Sequence, residues 1–300
     1  MSGCATSNKT VSQSKYMPLM GDSINVSSEV VGKASTGVQS NKEAKEKATK
    51  ALSSANYDLA LFYYIKALEF DDKDTDSLHQ IAKIHDLRGD IASSTLAYRM
   101  ILEDDPEDLV AMEGLGRRYL QQNKTNEAEL LFEKVISKNP NSANSLMGLG
   151  VISDLKSDFA AAEQYYQKAI AISPKSVEIL NNYAYSKYLS GDWDEAEKLY
   201  KKTLAAYPNH PQTLLNYGLL KARQDKPNEA IMLFKKVLSE PQAYNELGYI
   251  YMVQHDYEKA KQLFIKAISA SPTYFEEASR NLEQLNILVN EITSKGVQER

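Results

Sequence analysis

Residues 180–208 read LNNYAYSKYLSGDWDEAEKLYKKTLAAYP, and most of the chain is organised around copies of this stretch. Leu180, Tyr183, Ala184 and Lys187 have i, i+3, i+4, i+7 spacing, which marks one face of a helix. Leu189-Ser190-Gly191-Asp192 reads as a short polar turn. A second helix carries Ala196, Tyr200 and Leu204. Pro208 ends it, because proline has no amide for the helical ladder and biases the residue before it away from helix. The stretch predicts a hairpin of two short helices.

Working outward, the small residue at 196 recurs at a step of 34: Ala60, Ser94, Ala128, Ala162, Ala196 and Ala230, then Ala260 after a step of 30. Four residues later stands an aromatic, namely Tyr64, Tyr98, Phe132, Tyr166, Tyr200, Phe234 and Phe264. Twelve residues earlier stands another small residue: Ala48, Ala82, Gly116, Gly150, Ala184, Gly218 and Gly248. Pro106, Pro140, Pro174, Pro208 and Pro272 close five of the copies. Three registers locked to one period predict stacked hairpins, none of which buries its apolar faces alone. Glycine inside a helix costs roughly 1 kcal/mol relative to alanine. Its use at 116, 150, 218 and 248 is expected to bring the first helix close to the second at Ala128, Ala162, Ala230 and Ala260. The aromatic is then expected to fill the gap towards the neighbouring hairpin.

A net charge of −5 and the lack of a Lys/Arg-rich block argue against nucleic acid as a partner. No apolar run approaches the ~18 residues of a membrane span. A single cysteine, Cys4, leaves no disulfide within the chain. Residues 1–40 are rich in Ser, Thr, Asn, Gln and Gly, and are expected to form a disordered polar tether. At the other end Phe275, Ala278, Leu282, Leu285, Leu288 and Val289 make one apolar face, predicting a capping helix over 275–294 before a tail at 295–300.

Catalytic chemistry finds little support. Gly114-Leu115-Gly116 and Gly148-Leu149-Gly150 fall inside repeat helices, whereas a dinucleotide loop must follow a strand and open a helix. His79 and His85 are six apart, off a common helical face, and His210 and His255 are remote from them. No Ser/His/Asp set or paired carboxylates stand out. The expectation is a non-enzyme without cofactor, metal or small-molecule substrate.

The linked registers resemble the tetratricopeptide repeat (TPR) pattern over about 41–274. The resemblance implies an all-α TPR solenoid, a right-handed superhelix of seven hairpins at 41–74, 75–108, 109–142, 143–176, 177–210, 211–240 and 241–274. The first is degenerate, with Asp72 in place of the proline, and the sixth is four residues short around Ser239-Glu240-Pro241. In that family the first helix of each hairpin lines a protein-binding groove through its second, fifth, sixth, ninth and twelfth positions. Carried over, the implied groove comprises Asn181, Asn182, Tyr185 and Tyr188 in repeat 5, with Leu215, Asn216 and Leu219 in repeat 6. Repeat 7 adds Asn245, Tyr249 and Met252. Asparagine offers both donor and acceptor to a peptide backbone, while Tyr and Met surfaces take apolar side chains. Repeats 2 and 3 are more charged there, with Asp76, His79, Lys83, Glu113 and Arg117. The slots that carry lysine in TPR clamps for chaperone C-termini hold Asn, Tyr and Leu, which argues against a co-chaperone.

Ser2-Gly3-Cys4 is similar to the last three positions of a bacterial lipobox, so Cys4 is a candidate for lipidation, with the polar stretch after it as tether. Met1 stands where leucine is usual, and the apolar region of a signal peptide would have to come from an upstream start. Ala5 after the cysteine favours, by that analogy, the periplasmic face of the outer membrane over the inner membrane. The block Ala243-Tyr244-Asn245-Glu246-Leu247-Gly248-Tyr249-Ile250-Tyr251 resembles TadD, the TPR lipoprotein family of tight-adherence (Flp) pilus assembly. So do Ala270-Ser271-Pro272-Thr273-Tyr274-Phe275, Ala278 and Asn281-Leu282. That resemblance implies a scaffold binding secretin or pilus assembly components. A type IV pilus pilotin-like lipoprotein and a soluble cytoplasmic TPR adaptor are the alternatives.

Overall fold

The computed structural model describes residues 16–21 and 37–298, with side chains as far as 292; Cys4 lies outside them. Among these residues there are fifteen α-helices and no strand. Twelve of them pair into six hairpins, the first three being α1 (Asn41–Ser53) with α2 (Tyr57–Phe70), α3 (Thr75–Arg88) with α4 (Ile91–Asp104), and α5 (Leu109–Gln121) with α6 (Thr125–Lys138). There follow α7 (Ala143–Leu155), α8 (Phe159–Ile172), α9 (Val177–Leu189), α10 (Trp193–Ala206), α11 (Pro211–Arg223), α12 (Pro227–Phe234), α13 (Glu240–Val253) and α14 (Tyr257–Ala270). The last helix, α15 (Glu276–Gln298), runs four residues past the expected cap and into the expected tail. The chain divides into two compact bodies, Met1–Ile152 and Ser153–Arg300.

The turn between the two helices of each repeat passes through one residue of positive φ at the same register: Ala55, Gly89, Asn123, Ser157, Gly191, Asp225 and His255. Asn56, Asp90, Asp158, Asp192 and Asp256 come next and cap the second helix with their side chains. A carboxylate or amide oxygen there satisfies an amide that the helix start leaves open. Lys124 and Lys226 hold this position in repeats 3 and 6 and make no side-chain cap.

The glycines serve the aromatics rather than the alanines. A Cβ on Gly116 would stand 2.7 Å from the ring of Phe132, and one on Gly148, in the next hairpin, 2.4 Å from the same ring. Gly218 and Gly248 face Phe234 and Phe264 in the same way. The ring, buried completely at Phe132, Phe234 and Phe264, therefore sets the helix spacing that the small residues permit.

Repeat 1 closes with alanine alone. Helix α1 buries Ala44, Ala48 and Ala51, and Asn41 donates to the Ala67 carbonyl (3.1 Å) and to Asp74 (2.7 Å). In repeat 6 the missing residues come out of the second helix: α12 has 8 residues where α10 and α14 have 14. A turn over 235–238 leads directly to the Ser239/Gln242 capping box of α13.

Within the segment expected to be a tether, Tyr16–Gly21 is packed. Met17–Met20 form a 3-10 turn with Leu19 and Met20 buried in the core with α2 and α4. The Nε2–H of His85 donates to the Leu19 carbonyl at 2.8 Å. The physical reason is local: Tyr16-Met17-Pro18-Leu19-Met20 is an apolar run inside a polar segment, and Pro18 presets the turn. On the cap, Ala278 and Leu285 are buried and Leu282 and Val289 partly so, but Leu288 is 37% exposed and lies off the packed face.

Candidate protein-binding groove

The first helices α9, α11, α13 and α15 follow one another side by side in the C-terminal body. On them the sequence-derived groove residues sort into two kinds. Asn181 and Asn245 are buried, at 3% and 4% exposure. Asn216 donates to Asn181 Oδ1 at 3.2 Å, and Asn281 on the cap donates to Asn245 Oδ1 at 3.0 Å. These two amides tie one hairpin to the next, so their acceptor oxygens are already engaged. Asn182 and Asn216 are half-buried, and Gln212 donates to Asn216 at 3.0 Å.

The aromatic and apolar members are open. Tyr185 and Tyr188 are half-buried and stacked on each other, with centroids 5.6 Å apart and planes at 23°. Tyr249 is 48% exposed, and Leu215, Leu219 and Met252 are half-buried at the edge of the core. Aromatic and aliphatic side chains flanked by amides are the composition that a protein segment can cover.

Beside it runs a structural element that the sequence reading missed. Tyr183 donates to Glu163 at 2.9 Å while Lys187 pairs with the same carboxylate at 2.9 Å. One repeat on, Tyr217 and Lys221 do the same to Glu197, at 3.0 and 2.9 Å. Burial alone would raise the Glu197 carboxyl; hydrogen bonds from Lys201, Lys221 and Tyr217 outweigh it and bring the pKa down to about 2. Burial alone would lower the pKa of the Lys221 ammonium; its hydrogen bonds to the Glu197 and Glu229 carboxylates outweigh that and raise it. Rings meet along this line as well, Tyr166 tilted against Tyr183 and Tyr200 stacked on Tyr217, both at 5.7 Å. The legible signal was the 34-residue step from Glu163, Tyr183 and Lys187 to Glu197, Tyr217 and Lys221.

In the N-terminal body the corresponding face is occupied by its own polar pairs. Asp76 pairs with Lys45, His79 with Asp108 at 2.8 Å, and Arg117 with Asp86. Glu113 accepts from Ser142, Asn144 and Ser145. A cavity of about 580 Å³ remains there, lined by charged residues together with Leu87, Tyr98 and Val110, so the face of repeats 2 and 3 is mainly charged and that of repeats 5–7 mainly aromatic and amide. Among the described residues no three His, Cys, Asp or Glu side chains converge as metal ligands, and no helix is long and apolar enough to cross a membrane.

Known proteins give a consistent picture of the fold. Three family descriptions, each a tetratricopeptide repeat, match residues 113–177, 176–239 and 241–274. A tetratricopeptide repeat protein from Parabacteroides merdae is similar at 20% identity and a TM-score of 0.61, over 83% of this chain and 99% of that one. The pilF protein of Pseudomonas aeruginosa is similar at 16% identity and a TM-score of 0.51, over 72% of this chain and 98% of its own. TTC0263 of Thermus thermophilus is similar at 19% identity and a TM-score of 0.50, over 60% and 98%. No curated relative matches the sequence.

Proposed function

Because the chain belongs to the tetratricopeptide repeat family, we propose that it is a non-catalytic scaffold that holds a protein segment on the face of repeats 5–7. The observation that carries this reading is the series of aromatic and apolar side chains from the Tyr185–Tyr188 stack to Tyr249, where the first helices of repeats 2 and 3 carry paired charges instead. In this reading Tyr185, Tyr188, Tyr249 and Met252 take apolar side chains, and Asn182 and Asn216 meet the segment's backbone. Asn181 and Asn245 hold the hairpins in register beneath.

The finer assignment follows the resemblance of residues 243–251 and 270–282 to tight-adherence pilus lipoproteins. The scaffold would support assembly of such a pilus, with a secretin or pilus component as its partner and a lipid on Cys4 holding it at the outer membrane. The likeness to pilF is one of fold and does not bear on the choice. Capture of secretin and pilus components from a periplasmic extract tests the groove, using the full chain against a Tyr185→Ala/Tyr188→Ala/Tyr249→Ala variant. The variant is expected to lose most of the captured protein; undiminished capture removes this face as the binding site. Mass spectrometry of the N-terminal peptide from the native host tests the anchor, and an unmodified Cys4 removes it.

A further inference from the structure

The ninth position of the first helix changes the chemistry of the face along the chain. Repeats 5, 6 and 7 carry Tyr185, Leu219 and Tyr249 there, whereas repeats 2 and 3 carry Lys83 and Arg117. Lys83 is exposed and forms no ion pair among the described residues. Arg117 comes no nearer than 3.8 Å to Asp86, and its Nε is buried without a hydrogen-bond partner. Both line the cavity of about 580 Å³ built on α3, α4 and α5, together with Arg118 and Asp86.

A sister junction shows what is left undone here. In repeat 4 the twelfth position is Asp154, which accepts from Tyr166 at 2.9 Å and, from the next first helix, Ser186 at 2.6 Å. In repeat 2 it is Asp86, which accepts from Tyr98 at 2.8 Å in the same way. The register of Ser186 is then filled by Arg118, whose side chain is only 9% exposed. Its guanidinium stops 3.4 Å from Asp86 Oδ1, longer than the about 2.8 Å of a charge-assisted hydrogen bond. That oxygen and the Arg118 Nε both lack hydrogen-bond partners. Buried donors left unpaired are costly, and serine closes the sister junction without them. Repeat 5 has no acid at this place: Tyr188 stands at the twelfth position, and the buried Tyr200 hydroxyl has no partner among the described residues.

Charge and lining then name the ligand. Lys83, Arg117 and Arg118 face a single carboxylate, because His79 on the same wall is engaged with Asp108 at 2.8 Å. The wall carries an excess of two positive charges in a chain of net charge −5. Leu87 and Val110 add apolar lining and are 62% and 66% exposed. A small inorganic anion would leave those two side chains in water, whereas a peptide can meet both kinds of wall.

We propose that this cavity binds an acidic segment of a partner protein, one with two Asp or Glu side chains beside an apolar residue. The carboxylates accept from the Arg117 and Arg118 guanidiniums and pair with Lys83, while the apolar residue covers Leu87 and Val110. Asp86 is a positioning residue that holds the two guanidiniums side by side. The site is separate from the face of repeats 5–7 and does not rest on it.

A dodecapeptide display library with each C-terminus fused to the carrier, so that every peptide carboxylate is a side chain, tests this. It is depleted on a Lys83→Gln/Arg117→Gln chain and then selected on the full wild-type chain, circular dichroism and Tm confirming that both are folded. The survivors are expected to share two acidic positions and an apolar one. Remade with the matching amides and an amidated C-terminus, they should bind the wild type at least tenfold more weakly. They should bind the Tyr185→Ala/Tyr188→Ala/Tyr249→Ala chain within about twofold of the wild type. No survivors, or survivors without an acidic preference, overturn the proposal. Loss of binding to the triple variant also overturns it, by moving the acidic peptides to repeats 5–7, and leaves the groove reading standing.

Discussion

The ring of Phe234 lies so close over Gly218 that a Cβ added to the glycine would stand 2.2 Å from a ring carbon. Glycine at a mid-helix position gives up roughly 1 kcal/mol of helix propensity, so Gly218→Ala sets that gain against a forced displacement of a fully buried ring. Overpacking of this kind costs typically 1–3 kcal/mol, and the ring has no flexible end with which to yield. Gly218→Ala is expected to lower stability despite its better helix propensity. Urea denaturation of the two proteins checks it, and a raised midpoint would show that the ring moves freely.

Tyrosine-to-phenylalanine substitutions should have opposite signs in neighbouring repeats. Burial raises the Asp154 carboxyl despite hydrogen bonds from Ser186 and Tyr166, so removing the Tyr166 hydroxyl strips support from a half-buried acid. Tyr166→Phe is expected to destabilise by about 2 kcal/mol, the worth of a hydrogen bond to a charged group. Tyr200→Phe removes a hydroxyl with no partner and is expected to leave stability unchanged or raise it by about 1 kcal/mol. Calorimetry of the pair without any ligand reads both signs.

Acid should unpick the Glu197 junction over a defined range. Its folded pKa of about 2 lies below the ordinary carboxylate value of 4.5, so the unfolded chain binds the proton first as pH falls. The stabilisation is therefore fully present above about pH 4.5 and lost between there and about pH 2. Glu197→Gln is expected to flatten that part of the stability–pH curve while lowering stability at neutral pH. An unchanged slope below pH 4.5 would mean that the junction contributes nothing to it.

The N-terminal turn should respond at milder pH. Burial lowers the His85 pKa from 6.5, opposed by its bond to Leu19 and by the charges of Asp90 and Asp86, and assisted by Arg88. With the folded pKa below the unfolded one, the neutral ring is the native form, and its stabilising effect fades as pH falls below 6.5. Amide exchange in residues 16–21 is expected to quicken between pH 7 and pH 5 relative to the hairpins, once corrected for intrinsic rates. His85→Gln, which keeps a donor for the Leu19 carbonyl, should remove that pH dependence.

The turn chemistry offers a cheap gain. Ala55 sits at φ 54°, where Gly89 and Gly191 stand in two sister repeats, and Lys124 leaves α6 without a side-chain cap. Ala55→Gly and Lys124→Asp are each expected to add about 1 kcal/mol, from relief of left-handed strain and from capping. Thermal melts of the single and double variants check the gains and their additivity.

The hairpin frames were legible because each slot repeats a residue type at one period, so chance matches were averaged out. Depth was not legible. The position list placed Asn181 and Asn245 on the groove helices, but whether an amide faces a ligand or the next hairpin depends on partners such as Asn216 and Asn281, 35 and 36 residues away. The glycines were read as making room for Ala128 and its kin, because alanine shares their period; so does the ring four residues on, and only geometry separates the two. Tyr16-Met17-Pro18-Leu19-Met20 was hidden by averaging over a long polar segment. Three buried side chains, Tyr16, Leu19 and Met20, suffice to anchor the turn beside His85.

The shortened α12 buries only Ala230 and Phe234 and lacks six residues of its sisters, about 9 Å of rod at 1.5 Å per residue. In a stack whose rungs hold only their neighbours, compliance gathers at the thinnest rung. That rung lies between the Tyr185–Tyr188 pair and Tyr249, so it is the place where the spacing of the two ends of the proposed binding face is least firmly held. A chain segment seated across it would act as a splint, and a pull on that segment would be felt first at α12.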